Sequence, residues 1–376
     1  MVLYMVLTGG DFLKFKKNRR EKKAIYIFVL LLFLVLTLSG CNFESSSVNT
    51  VEIMDMLGRT VLIPEDPQRI AILDPFAGYA LIMLGQGDKM VATTGGIKRD
   101  VLIQSILPSL VNTVVVKEEG AINGEALLKL KPDLIIIKGE TYNNTDERNK
   151  LDRLRIPYLV IEYRSMEEQC EVIRLIDGAV GNKEKAEAYI DYYRETIKQV
   201  AEIVDKIPDE KRPTLYHSIN TAITTDAKDS IGAEWIAVTG VKNVSLNAEL
   251  LFGEKQYNTT LEEIYLWDPD IVICNESGIN EYILMSSQWQ GLRAVREGNV
   301  YQMPIGVSRM GHFNSIEVPL AIWWLAELLY PEYLADFDFR EELKTFYSRF
   351  FDYELDSETI DSILAGQGIR SSGVGN

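Results

Sequence analysis

The chain has 376 residues, 47% hydrophobic and 25% charged, enough apolar material for sizeable cores and too long for one ordinary domain. Ordinary charge content without low-complexity tracts excludes a disordered or fibrous protein. The formal charge is −16, and because residues 1–40 hold seven cations and two anions, the rest carries 32 positive and 53 negative groups. An acidic body argues against a nucleic-acid partner, which needs clustered Lys and Arg to displace counterions.

The first element in chain order is a leader. A basic stretch, Lys14–Lys23, precedes the apolar run Ala24–Leu38 and the small residues of Leu38-Ser39-Gly40-Cys41, the parts of a secretory signal. Fifteen residues at ~1.5 Å each span roughly 22 Å, short of a ~30 Å hydrocarbon core, so a cleaved signal is favoured over a permanent span. Leu-Ser-Gly-Cys resembles the bacterial lipobox, whose cysteine is acylated and becomes the mature N-terminus. Cys41 is therefore the expected lipidation site, residues 1–40 the signal peptide and 41–50 a polar tether.

Short apolar runs then alternate with helical patterns, which predicts parallel strands with crossover helices. Strands are expected at Arg69–Asp74, Met90–Thr94, Leu134–Ile137 and Tyr158–Ile161, and again at Thr214–Tyr216, Ile271–Ile273 and Val300–Met303. Between the two sets, Ala186, Tyr189, Ile190, Tyr193, Ile197, Val200, Ala201 and Val204 form one helical stripe, with Pro208 and Pro213 at its exit. The fold class is α/β: two Rossmann-like lobes (51–181 and 208–365) joined by one long backbone helix (182–207), with a ligand cleft between the lobes. One or two helices over Phe337–Leu364 should pack on the second lobe, and the Gly/Ser-rich residues 366–376 form a flexible tail. Cys170 and Cys274 fall inside apolar patterns and are expected to be buried free thiols. No Cys-x-x-Cys pair is present for structural zinc.

An internal repeat supports two related lobes. Glu125-Ala126-Leu127-Leu128-Lys129-Leu130-Lys131-Pro132-Asp133-Leu134 parallels Glu262-Glu263-Ile264-Tyr265-Leu266-Trp267-Asp268-Pro269-Asp270-Ile271 at an offset of 137 residues, with Glu and Pro seven apart in each. Proline stopping a helix accounts for the Pro-Asp pair. It does not account for the glutamate.

These features together resemble the substrate-binding lipoproteins of ABC importers, in the rigid-helix class that serves ferric siderophores, haem and cobalamin. The resemblance rests on the lead-in segments Asp55–Val61 and Ile63–Ile70, on Trp289-Gln290-Gly291-Leu292-Arg293-Ala294-Val295-Arg296-Glu297-Gly298-Asn299-Val300-Tyr301, and on Trp324-Leu325-Ala326 with Leu329-Tyr330-Pro331-Glu332. It covers about residues 50–335, behind a lipobox. It implies an extracytoplasmic, lipid-anchored and monomeric receptor that captures a metal chelate, a ferric siderophore first, and delivers it to an ABC permease with its ATPase subunits. Cobalamin, haem or molybdate are the alternative cargoes. No cofactor and no enzymatic activity are implied. In this family an exposed glutamate on each lobe docks into an arginine pocket of the permease, and Glu125 and Glu262 match that position. Glu263, next in sequence, leaves the second assignment open.

The ligand should lie where strand C-termini face each other across the cleft. Both histidines of the chain fall on those rims, so the expected contacts are His217, Arg309, His312 and Asn275 in the second lobe, with Phe76 and Tyr142 in the first. The guanidinium of Arg309 suits an anionic chelate. Hydrogen-bonded structural histidines, and ordinary packing for the two aromatics, are the competing readings. Related proteins that take bare Zn²⁺ or Mn²⁺ use two or three histidines plus carboxylates contributed by both lobes, and the first lobe here has no histidine, so the resemblance implies no residue that binds metal directly. No Gly-x-Ser-x-Gly, phosphate loop or His-Glu-x-x-His is found, which leaves a surface-anchored α/β hydrolase as a remote alternative.

Overall fold

The structure is a computed structural model that describes residues 49–253 and 256–367. The signal peptide, nearly all of the tether, Cys41 and residues 368–376 of the expected tail lie outside the described residues.

The chain enters through an antiparallel hairpin, Thr50–Met54 paired with Thr60–Pro64. Its turn is organised by the buried Asp55 carboxylate, which accepts from the backbone N–H groups of Leu57 and Arg59 at 3.1 Å. The same carboxylate accepts from Val160 N–H at 3.1 Å, which fastens the hairpin to the first sheet. That sheet has five parallel strands in the order Val114–Val115, Met90–Thr93, Ile70–Ile72, Leu134–Lys138, Tyr158–Ile161. The second has four, also parallel: Lys242–Asn243, Thr214–Ser218, Ile271–Cys274, Val300–Gln302. Central strands such as Ile70–Ile72 are buried along their whole length because helices cover both sheet faces, which explains their unbroken apolar sequence.

The linking helix runs Lys183–Val204, about 33 Å at ~1.5 Å per residue. Asn182 caps it by accepting from Lys185 N–H. Its buried stripe (Ala186, Tyr189, Ile190, Tyr193, Val200, Val204) joins the inner faces of both sheets in one continuous hydrophobic core. Smaller cores cover the outer faces, around Ile135 and Leu127 in the first lobe and around Val272 and Trp289 in the second. From Asn49 onward the described chain is one compact unit, two halves built around a shared core.

The C-terminal segment forms two helices, Phe339–Phe351 and Ser357–Leu364. The first packs, as expected, on the second lobe, against the helix Val318–Leu329, and also touches the linking helix: Phe350 and Phe346 meet the Tyr189 ring edge-on at 5.5 and 6.5 Å, and Lys185 pairs with Asp352 at 2.6 Å. The second ties back to the second lobe, where Ile305 N–H donates to the Ile363 carbonyl at 3.0 Å. A small antiparallel sheet (Thr224–Thr225, Gln256–Asn258, Leu251–Gly253) is an addition that strands this short do not announce by periodicity. Cys170 and Cys274 are buried and free. Burial pushes both thiols up to about 12.

Candidate functional site

The sequence repeat is a repeat of structure. Both copies form a seven-residue helix, Gly124–Leu130 and Leu261–Trp267. Asn123 and Thr260 cap them by accepting from the third residue of each helix, at 3.0 and 3.2 Å. Both helices exit through a left-handed residue, Lys131 with φ 47° and Asp268 with φ 39°. Proline follows, then an aspartate that clamps the neighbouring strand. Asp133 donates its N–H to the Arg69 carbonyl at 2.8 Å, and its carboxylate accepts from Arg69 N–H at 3.0 Å. Asp270 does the same with Thr214, at 3.1 Å and 2.7 Å. Pro-Asp is thus a helix stop and strand clamp.

Glu125 and Glu262 each stand second in their helix, exposed, where the dipole favours a carboxylate. Glu263 is half-buried and accepts from the Thr259 hydroxyl at 2.6 Å, a capping role that leaves Glu262 as the outward-facing acid.

At the opposite ends of the strands the two sheets face each other. Lys138 ends its strand with Nζ 3.9 Å from the centre of the Tyr163 ring and 4.9 Å from that of Phe313, which comes from the second lobe. Tyr163 O–H donates to Asn314 Oδ1 at 2.6 Å, and Gln169 Nε2 donates to the Phe313 carbonyl at 3.0 Å. Burial pushes the Lys138 ammonium down and the nearby Asp74 carboxyl up, and their mutual attraction opposes both shifts.

On the second-lobe side a cavity of about 120 Å³ is lined by Asn220, Thr225, Asp226, Asn275, His312 and Phe313 among others. Asn275 is fully buried. Its Oδ1 accepts from Asn220 N–H at 3.1 Å, while its Nδ2 and the Thr225 hydroxyl have no protein partner. Buried donors left in this way favour a bound acceptor.

The expected site residues separate into three groups. Asn275 and His312 line the cavity; the His312 ring packs on Phe313 at 4.3 Å, and its Nδ1 accepts from Asn314 N–H at 3.3 Å. His217 and Arg309 brace it from behind the wall. His217 is fully buried, with Nδ1 2.7 Å from Asp226 Oδ2, and its Nε2 is without a partner. Arg309 pairs with Glu276 at 2.6 Å and bonds Asn220. Phe76 and Tyr142 are engaged elsewhere. Phe76 is fully buried against Tyr163, ring centres 5.0 Å apart, and offers no open face. Tyr142 sits under the Arg59 and Arg148 guanidinium groups at 4.6 and 5.2 Å. The first-lobe crest is instead Lys138 and Tyr163. Lys138 directly follows the buried apolar run Leu134–Ile137 within its strand, and that position was the available signal.

Two α/β halves on one long helix, with polar groups converging at the strand ends between them, define a two-lobed solute-binding protein. A family model described as periplasmic binding protein matches residues 70–305, and the chain belongs to that family. Similar curated proteins include the molybdate-binding protein MolA of Haemophilus influenzae, 22% identical over 84% of this chain and 95% of its own length. The probable siderophore-binding lipoprotein YfiY of Bacillus subtilis is 25% identical over 75% of this chain and 91% of that protein. Among solved structures, a periplasmic solute-binding protein from Veillonella parvula superposes with a TM-score of 0.74 at 26% identity, covering 86% of this chain and 99% of that one. MolA bound to molybdate shares the fold, with a TM-score of 0.73 at 20% identity over 81% and 99% of the two chains. Periplasmic binding proteins are the solute-capturing, non-enzymatic components of ABC importers. The chain is accordingly an extracytoplasmic binding component with a small-molecule ligand and an ABC permease as its partner. No helix among the described residues is long and apolar enough to cross a membrane.

Proposed function

We propose that this chain is a monomeric receptor, anchored by a lipid on Cys41, that captures an anionic metal species between its lobes and hands it to the permease through Glu125 and Glu262. The lobes are taken as 51–181 and 208–365, turning about the helix at 182–207. The observation that carries the reading is the second-lobe cavity, where Asn275 Nδ2 and Thr225 Oγ1 are donors without protein partners, on a crest that the Lys138 cation reaches from the first lobe through Phe313. Donors and a cation at one crest suit a negatively charged cargo.

The unpartnered donors beside the Lys138 cation favour a compact metal oxyanion over the ferric siderophore that the sequence alone puts first. The relative named for molybdate is consistent with that order. A siderophore chelate is the second reading. It is supported by the exposed aromatic pair Phe252 and Tyr257, with ring centres 5.1 Å apart, the latter lining the cavity. Titration of the purified chain with sodium molybdate and with a ferric siderophore, followed by tryptophan fluorescence, decides between them. Saturable binding of molybdate alone supports the oxyanion and of the siderophore alone the chelate; saturation by neither contradicts an anionic metal cargo.

A further inference from the structure

The loop Ile305–Ile316 delivers His312, Phe313 and Asn314 to the crest and Arg309 to its support, yet it contains no helix and only one isolated bridge, Ile305 with Arg309. Its conformation has to be fixed from below. Glu317, fully buried where the loop ends, makes that connection. Its Oε2 accepts from Ser308 N–H at 2.8 Å and from the Ser308 hydroxyl at 2.7 Å. Its Oε1 accepts from the Tyr347 hydroxyl at 2.6 Å, and Tyr347 in turn accepts from Val307 N–H at 2.9 Å.

The remaining bonds close a ring. Because Ser308 gives its proton to Glu317, it accepts from Ser315 across their 2.7 Å hydroxyl contact. Ser315 then accepts from Glu317 N–H at 2.9 Å. Both ends of the loop and the helix Phe339–Phe351 therefore converge on one side chain. Among the described residues no lysine or arginine pairs with it. A buried carboxylate without a counter-ion persists only when its oxygens are hydrogen-bonded, and that makes its geometry demanding. Gly306 fits the arrangement, since a Cβ there would overlap both Glu317 Oε1 and the Tyr347 hydroxyl.

We propose that Glu317, which lines no part of the cavity, is the positioning residue of the cargo site: its two acceptor oxygens hold the 305–316 loop in the conformation that presents His312 and Phe313 to the ligand. The proposal rests on the reading that cargo is bound at this crest. A glutamine at 317 keeps the shape but places a donor where Tyr347 or Ser308 donates, so at least one bond of the ring is lost and the loop is released.

Trp235 reports on that release. Its indole N–H donates to the Gly311 carbonyl, inside the loop, at 2.9 Å. Gly311 has φ +76°, and a Cβ there would sit 2.6 Å from Trp235 Cζ2, so the contact is tight. The experiment compares wild type and Glu317→Gln at pH 8.5, where the carboxyl is ionised, by the assigned ¹⁵N–¹H signal of the Trp235 indole in the folded, cargo-free protein. Affinity for sodium molybdate and for a ferric siderophore is measured alongside.

The expected result is an upfield shift of the indole proton and about tenfold weaker binding of whichever probe the wild type takes, the size of one lost charge-assisted bond. If Glu317→Gln does not fold, Tyr347→Phe removes one arm of the ring and keeps the carboxylate, with the same shift and roughly threefold weaker binding expected. A lowered Tm with an unmoved indole signal and affinity within twofold of wild type overturns the proposal, because the glutamate then only stabilises the fold. A wild type that binds neither probe overturns the cargo reading instead, and the indole comparison still decides whether Glu317 holds the loop.

Discussion

The two lobes agree at one end and differ at the other. Around Glu125 and Glu262 they share a capped seven-residue helix, a left-handed exit, a proline and an aspartate clamp. At the strand C-termini they are built differently: the first lobe offers Lys138, Tyr163 and the unpartnered hydroxyls of Thr93 and Thr94, the second a cavity with its own unpartnered donors and a long loop. On the docking proposed for Glu125 and Glu262, a surface that meets a partner with both lobes is held to one design, whereas a cleft that grips a single small ligand is free to be asymmetric. The difference also appears in the buried carboxyls. Asp74 sits opposite a lysine, while Glu317 is held by neutral donors alone.

That contrast is sharpened first by pH. Burial raises the Glu317 carboxyl to about 7, against 4.5 ordinarily, with Tyr347 and Ser308 as the groups that pull it back down. A raised acid favours the protonated folded state, so its contribution is complete below about 4.5 and is lost as pH rises through about 7, a change of about 3 kcal/mol. Urea denaturation at pH 5 and pH 8 should show wild type losing stability by this order relative to Glu317→Gln. Parallel profiles for the two proteins would break the account of this carboxyl.

The next effect lies in the cavity. Asn275→Ala should weaken cargo binding about a hundredfold, near 2.7 kcal/mol, because it removes a donor and strands Asn220 N–H. Lys138→Met, on the other crest, should cost only about fivefold, nearer 1 kcal/mol. Equal losses measured by calorimetric titration would erase the asymmetry.

The smallest effect tests the shared frame. Asp270→Ala removes an acceptor for both Thr214 N–H and its hydroxyl and a 2.7 Å ion pair with Arg293, for a loss of about 2 kcal/mol. Asp133→Ala removes the bonds from Gln68 and Arg69 N–H and should cost about 1 kcal/mol. The Asp270 carboxyl is held low by its Thr214 bonds against the pull of burial. Its share is therefore present at neutral pH and fades as pH falls through the acid range. Chemical denaturation of both variants at pH 7 checks the order.

Much of this was legible in sequence because it follows from periodicity. Tyr158–Ile161 is a strand over the residues expected, and the linking helix buries most of its expected stripe. The Glu-to-Pro spacing marked a real structural repeat. The cleft was less legible because its chemistry depends on which way strand-end side chains turn. Phe76 and Lys138 both flank strand ends, yet Phe76 points into the core and Lys138 across the cleft. Arg309 was expected to contact the ligand; its pairing with Glu276 is a long-range contact that no local pattern encodes. Glu317, preceding an apolar helix, gave no sign of being buried.

The most direct test of one docking frame and one asymmetric cargo site reverses both exposed acids and measures two quantities on the same protein. For Glu125→Lys with Glu262→Lys, cargo affinity should stay within twofold of wild type while permease-dependent uptake falls to background. Unchanged uptake, or affinity lost together with it, would contradict the account.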